Sequence, residues 1–280
     1  MRQLIQKSLF LALCTTAILG NASAQTDAAT KNYPDKQVRL VIPFPPGGAT
    51  DVIGRIMAQE LSKSLGQQVL PDNRSGDSGN IGADMVAKSP ADGYTLLISS
   101  ASSVSIYPAL NTKADYRQSQ FTPISQLTIA PLVLAVNKDL GVRSVPELIK
   151  LAKANPGKYT WATSGLGTTS HISEELFTRE LNMGMEIIAY KGAVPQLTDV
   201  IGGHVSAAVS PMPGVISFIQ AGRLNAIGVT SKTRIPSMPD VPTVSESGLP
   251  GYELLSWYGI WAPAKTPADV VKRMNEELNK

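Results

Sequence analysis

Between Val38 and Leu65 the chain reads VRLVIPFPPGGATDVIGRIMAQELSKSL, and no other stretch limits the fold as much. Leu40-Val41-Ile42 is a short, continuous apolar run, the pattern of a strand buried on both faces of a parallel sheet. Pro43, Pro45 and Pro46 end it, and Gly47-Gly48 permit a tight turn. Thr50 is the expected N-cap of a helix whose apolar residues Ile53, Ile56, Met57, Leu61 and Leu65 share a face. A strand, a glycine turn and a helix start together aim free backbone N–H groups, reinforced by the helix dipole, at one point that suits an anion. A plain tight turn uses the same residues, so a matching unit elsewhere has to decide between the two.

Ahead of this unit, Arg2 and Lys7 form a positive segment, Leu9 to Leu19 an apolar one, and Ala22-Ser23-Ala24 a small-residue cleavage site. Residues 1–24 therefore read as a signal peptide cut before Gln25, too short in its apolar part for the roughly 20 residues of a membrane span. Cys14, the only cysteine, leaves with it, so the exported product is expected to have neither disulfides nor thiol chemistry. The net charge of +3 falls to +1 when Arg2 and Lys7 depart. With acids and bases interspersed, no basic stripe offers itself to nucleic acid or a membrane surface.

Downstream, short apolar runs alternate with amphipathic segments. Gln68 to Leu70 and Tyr94 to Ile98 read as strands, the first leading into Ser75 to Asn80 and the second into Ser99-Ser100-Ala101-Ser102-Ser103. Pro131 to Asn137 reads as a further strand, after which the pattern restarts. Ser144 to Glu147 is a capping box. Tyr159 to Thr163 is a strand, Ser164 to Ser170 a Gly/Ser/Thr loop, and His171 to Leu181 a helix. Further strand–helix pairs follow to Thr230, and Thr243 to Glu246 is a second capping box. The last helix, with Thr266 as N-cap and Pro267 at its first position, meets no stop signal, which suggests a tail beyond Lys280. The alternation predicts an α/β architecture in two lobes.

Catalytic patterns are absent. The two histidines, His171 and His204, offer no usable geometry for a serine triad, and no G-x-S-x-G elbow occurs. His171, Glu174 and Glu175 share a helical face, but one imidazole with two acids is thin metal-site chemistry, and acids at a helix start serve its dipole equally well. No phosphate-binding G-x-x-x-x-G-K-[ST] is present. Gly165-x-Gly167-x-x-Ser170 approaches a dinucleotide fingerprint, yet the next strand ends in Tyr190-Lys191 where a ribose-binding acid belongs. No metal, cofactor or enzymatic role is expected. What remains is a repeated device: Ser164 to Ser170 does in the second half what Gly47 to Thr50 does in the first. Free amides and small hydroxyls converge there on a negative group. Lys191 is the one cation placed near such a cleft, and a solvated strand-end lysine reads the same way.

The order of Pro43-Phe44-x-Pro46-Gly47-Gly48-x-x-Asp51, Asn73-Arg74, Gly79-Asn80-Ile81-Gly82, Asp92-Gly93-Tyr94-Thr95-Leu96, Ser164-Gly165-x-Gly167-Thr168, Tyr190-Lys191-Gly192, Gly202-Gly203, Ala221-Gly222-Arg223-Leu224, Pro239-Asp240-Val241-Pro242-Thr243 and Trp257-x-Gly259 resembles the solute-binding proteins of the tripartite tricarboxylate transporter system, the Bug or TctC-like family. The resemblance implies a periplasmic-binding-protein-like type II fold with a ligand cleft between two α/β lobes. It also implies a small organic carboxylate ligand, a periplasmic location and delivery to membrane permease subunits by a monomeric receptor. A sensory receptor would use the same pocket, and an exported hydrolase is the remaining alternative. Carried over, the ligand carboxylate meets Phe44, Gly47, Gly48, Ala49 and Asp51 in lobe one and Ser164, Gly165 and Thr168 in lobe two. Thr50, Ser99, Ser100, Gly167, Ser170, Tyr190, Lys191 and Ser210 complete the candidate set. Ser210-Pro211-Met212-Pro213 stands where many relatives carry an acid, which favours a ligand without an ammonium group. The lobes are expected at 33–136 plus 258–280 and at 137–257. Relatives continue past Lys280, with helices on lobe one.

Overall fold

The computed structural model describes residues 32–111 and 114–280, and the signal-peptide reading of residues 1–24 lies outside them. The first half runs β1 (Val38–Ile42), α1 (Ala49–Leu65), β2 (Val69–Asn73), α2 (Asn80–Ala87), β3 (Thr95–Ser100), α3 (Tyr107–Leu110) and β4 (Phe121–Asn137). The second runs α4 (Val145–Ala154), β5 (Thr160–Thr163), α5 (Thr169–Glu180), β6 (Glu186–Ala189), α6 (Ala193–Ile201), β7 (Ala207–Pro211), α7 (Met212–Gln220), β8 (Leu224–Val229), β9 (Leu255–Pro263) and α8 (Ala268–Leu278).

β1 divides its side chains between two cores, as a strand without alternation must. Leu40 and Ile42 join Leu96, Ile98 and Ile260 on one face, while Val41 and Leu97 pack with Val86 and Trp261 on the other. β1 lies parallel to β2 and β3, so the segments leaving their carboxyl ends emerge on one edge. Helix α1 turns Gly54, Ala58 and Leu61 inward, with Ile53 and Leu65 of the expected face packed against the same core, and leaves Ile56 of that face 55% exposed. The cause is close approach: a Cβ on Gly54 would stand 3.0 Å from Ile42, so the helix rides on its glycine.

β4 carries the two-lobe organisation. Its first part, to Pro131, pairs antiparallel with β9, which pairs in turn with β3. From Leu132 onward it pairs antiparallel with β7 and β8, and β7 continues through β5 to β6 in parallel. Strand pairing along β4 therefore switches between Pro131 and Leu132, and the pairing of β9 begins at Leu255. The first part of β4 escapes a sequence reading because it is the edge of lobe one: it is half polar, contains Pro123, and bulges near Ser125 and Thr128. Thr230 is fully buried between Leu132 and Leu254. Its amide donates to the Leu132 carbonyl and its carbonyl accepts from the Leu254 amide, both at 3.0 Å. Its Oγ1 accepts from the Leu132 amide at 2.8 Å and donates to the Leu254 carbonyl.

Two caps shift from expectation. Gly48, not Thr50, precedes α1, and Pro267, not Thr266, precedes α8, with Thr266 Oγ1 donating to the Pro263 carbonyl at 2.8 Å. Glu147 of the first capping box donates its amide to Ser144 Oγ but accepts from the Arg143 amide, whereas Thr243 and Glu246 bond each other reciprocally. β3 runs on to Ser100, and Ser102–Ile106 form a π-helical turn in place of the expected loop.

Candidate functional site

The first turns of three helices and the residue preceding a fourth meet at the seam between the lobes. α1 contributes Gly48, Ala49 and Thr50, α5 contributes Thr168, Thr169 and Ser170, α6 contributes Ala193, and Pro211 precedes α7. Together with Phe44, Pro45, Ser100, Ser102 and Ser164, and with Ser256 and Tyr258 from β9, they wall a cavity of about 450 Å³. None of these wall residues is ionisable at neutral pH; burial pushes the Tyr258 phenol up to about 12. First-turn amides of a helix have no intrahelical acceptor and carry the positive end of the dipole. No side chain caps α1, so its first amides stay available to the cavity. At α5, Thr168 Oγ1 accepts from the His171 amide at 3.2 Å, and the Gly167 amide donates to His171 Nδ1 at 3.3 Å. That second bond requires neutral imidazole, and burial lowers the His171 pKa against the opposing pull of Glu175.

Asp51 shapes the first-lobe turn from behind. Its carboxylate accepts from the Gly47 amide at 2.9 Å, from Arg55 Nε at 3.0 Å and from Asn73 Nδ2 at 2.8 Å. Burial pushes this carboxyl up, but hydrogen bonds from Arg55, Gly47 and Asn73, with the Arg55 charge, outweigh it and hold the pKa below its ordinary value. The carboxylate is thus committed to the loop, and Asp51 is not a wall of the cavity.

The lobes touch closely across this seam. Gly192, at φ +116°, lies so near Pro45 that a Cβ would come within 2.8 Å of its ring, and a Cβ on Gly47 would meet Val194 at 2.9 Å. The Thr169 amide in lobe two donates to Ser102 Oγ in lobe one at 3.4 Å.

Of the sequence-derived candidates, Phe44, Gly48, Ala49, Thr50, Ser100, Ser164, Thr168 and Ser170 line the cavity. Gly165, Tyr190 and Lys191 do not; they line a neighbouring cavity of about 1070 Å³, where Tyr190 Oη donates to Asp199 at 2.7 Å. Gly47 sits at the seam and Gly167 near Leu110. Ser99 and Ser210 are buried one position off the walls, in β3 and β7, and their hydroxyls bond no protein atom. Pro45, Ser102, Thr169, Ala193, Pro211, Ser256 and Tyr258 are walls that the sequence reading missed. Ser256 and Tyr258 were findable: two apart on a strand they share a face, once Leu255–Pro263 is recognised as a strand. The helical triad of His171, Glu174 and Glu175 does not converge. His171 Nε2 is 3.8 Å from Glu175, while Glu174 is fully buried and accepts from the Val209 amide at 3.0 Å.

The geometry has close counterparts. A family model described as the tripartite tricarboxylate transporter family receptor matches residues 53–280. A UPF0065 protein from the tcbD-tcbE intergenic region of Pseudomonas sp. strain P51 is 40% identical over 272 residues, covering 94% of this chain and 80% of its own. BugT of Bordetella pertussis is 37% identical, covering 95% and 81%. Among solved structures, R. palustris Rpa4515 with adipate superposes with a TM-score of 0.86 at 38% identity, covering 88% of this chain and 83% of that one. The periplasmic binding protein BugD gives 0.84 at 33%, covering 88% and 82%. MatC from Rhodopseudomonas palustris with bound malate gives 0.83 at 30%, covering 88% and 84%. With the family model spanning most of the chain and these relatives matching along nearly all of it, the chain belongs to the TctC/Bug family of periplasmic solute-binding receptors.

Proposed function

We propose that this protein is an exported, non-enzymatic receptor that closes its two lobes over a small organic carboxylate and delivers it to the membrane permease of a tripartite tricarboxylate transporter. The observation that carries the reading is the cavity itself: first turns of three helices, the residue preceding a fourth, small hydroxyls and no charged side chain, contributed by both lobes. Such walls attract an anion through amide donors and helix dipoles. They also release it readily, because no buried lysine or arginine has to be desolvated and then left unpaired. The absence of an acid among the walls gives an ammonium no partner, so amino acids are the poorer fit. Adipate and malate, the ligands held by two structural relatives, are both carboxylates. Here the carboxylate rests on Gly48, Ala49 and Thr50 from one side and on Ser164, Thr168 and Ser170 from the other.

The test is calorimetric titration of purified protein with mono-, di- and tricarboxylates, aromatic acids and acidic amino acids, with amides of the same acids as controls. Saturable binding of at least one acid and none of its amide is expected. Binding of the amide as tightly as the acid overturns the anion site. Delivery is read separately, as uptake in cells that carry or lack the permease genes; uptake without this protein at undiminished rate refutes the transport role.

A further inference from the structure

The larger cavity beside the first has walls of its own, and they differ in kind. Phe44, Pro45 and Ser164 belong to both cavities, so the two adjoin across these three residues. Beyond that shared wall stand Ile81 from lobe one and Leu166 from lobe two, 57% and 59% exposed although both line a concavity. A lone exposed aliphatic needs no explanation. Among the described residues, two of the eight exposed large apolar side chains lining one cavity, one from each lobe, do need one. The only charged side chains on these walls are Asp77 and Lys191, one of each sign. They give the chamber no net charge with which to draw in a second anionic group.

We infer that the second cavity holds the uncharged apolar body of an elongated carboxylic acid whose carboxylate sits in the first, with Ile81 and Leu166 closing on that body from opposite lobes. The inference rests on the carboxylate reading of the first cavity and narrows it. The preferred ligand is a monocarboxylate with an aliphatic or aromatic extension, not the shortest acids and not a compact polyacid. Because the two aliphatics come from different lobes, both contact the ligand only when the lobes are together.

The experiment is a titration of the wild-type chain with straight-chain monocarboxylates from propionate to octanoate, repeated with Ile81→Ser, Leu166→Ser and the double variant. Burying a methylene against apolar walls strengthens binding by about two- to fourfold. A rise of that size per carbon is expected in the wild type once the first cavity is filled, with a flatter rise in each single variant and the flattest in the double. Both positions are exposed, so the substitutions leave the cores intact, which unchanged thermal melts verify. Equal affinity along the series, or a slope that survives the double variant, overturns the inference and leaves the carboxylate site standing. Failure of every acid to bind the wild type overturns the carboxylate reading itself.

Discussion

Replacing Gly48 by aspartate sets a carboxylate where the ligand's own is proposed to rest. Gly48 has φ −81° and ψ 170°, ordinary extended backbone that any residue adopts, so the substitution adds no conformational strain. A Cβ there meets Ala193 Cβ at 3.6 Å, an ordinary contact, and Gly48 itself lines the cavity. Two carboxylates about 4 Å apart at an effective dielectric near 20 repel by about 4 kcal/mol. That corresponds to roughly a thousandfold loss of affinity. Gly48→Asn fills the same volume without the charge and isolates the steric part, and Gly48→Ala adds only the methyl at 3.6 Å. Calorimetry at pH 7.5 with the tightest-binding acid is the assay, with circular-dichroism melts to verify the fold. The expected order is wild type, then alanine, then asparagine, with aspartate at least a hundredfold below asparagine. If aspartate and asparagine lose affinity equally, charge is not what the turn recognises and the anion-site argument fails.

Asp51→Ala removes the shared acceptor of the Gly47 amide, Arg55 Nε and Asn73 Nδ2, although Asn73 keeps the Phe44 carbonyl and Arg55 keeps Asn73 Oδ1. A loss of about 2 kcal/mol is expected in urea melts, less than the sum of the bonds because Arg55 is half exposed. Since the folded pKa of Asp51 lies below its ordinary 3.8, its contribution is present at neutral pH and fades as pH falls from about 4 through the lowered value; a wild-type-to-alanine difference that grows as the pH is lowered contradicts this. Glu174 behaves oppositely. Burial raises its pKa well above 4.5, so the folded state keeps a proton that the unfolded chain releases, and stability declines as pH rises from that value toward the raised one. Glu174→Gln, which keeps an acceptor for the Val209 amide, should raise the melting temperature more at pH 8 than at pH 5, and an equal shift at both refutes a buried neutral acid. Thr230→Val keeps the shape but removes Oγ1 from Leu132 and Leu254, for an expected cost of about 1–3 kcal/mol that Thr230→Ser largely restores. Identical urea midpoints for valine and serine would show that the hydroxyl does not matter.

The strands that can be read from sequence are those buried on both faces. Leu40-Val41-Ile42 and Trp161-Ala162 are continuous apolar runs because helices cover both sides of the sheet, and such runs announce themselves. Phe121 to Ala130 does not, since an edge strand keeps polar residues outward and tolerates Pro123. The helix-start loops were readable because glycine, proline and hydroxyl residues there answer a backbone demand local to the turn. Walls such as Ser256 and Tyr258 answer to a sheet partner over a hundred residues away, β4 against β9, and their i, i+2 spacing shows only that they share a face, not that this face meets the cavity. Asp51 shows a further limit. Its place beside the glycine turn is plain in the sequence, but whether its carboxylate faces a ligand or the turn depends on Arg55 and Asn73, which only the folded chain brings together.

The order of strands in lobe one also bears on how the chain is made. β9 lies between β3 and β4, yet it comes from near the end of the described chain. Residues 132–254, by contrast, contain all of the lobe-two sheet in one uninterrupted stretch. A chain emerging from its N-terminus can therefore complete lobe two while β3 still lacks its neighbour, although lobe one began first. The half-built lobe keeps its sheet open beside β3 until Leu255–Pro263 arrives. Pulse-labelling hydrogen exchange during refolding should protect Trp161 and Val209 before Leu97 and Ile260; simultaneous protection would mean that the two lobes form as one unit.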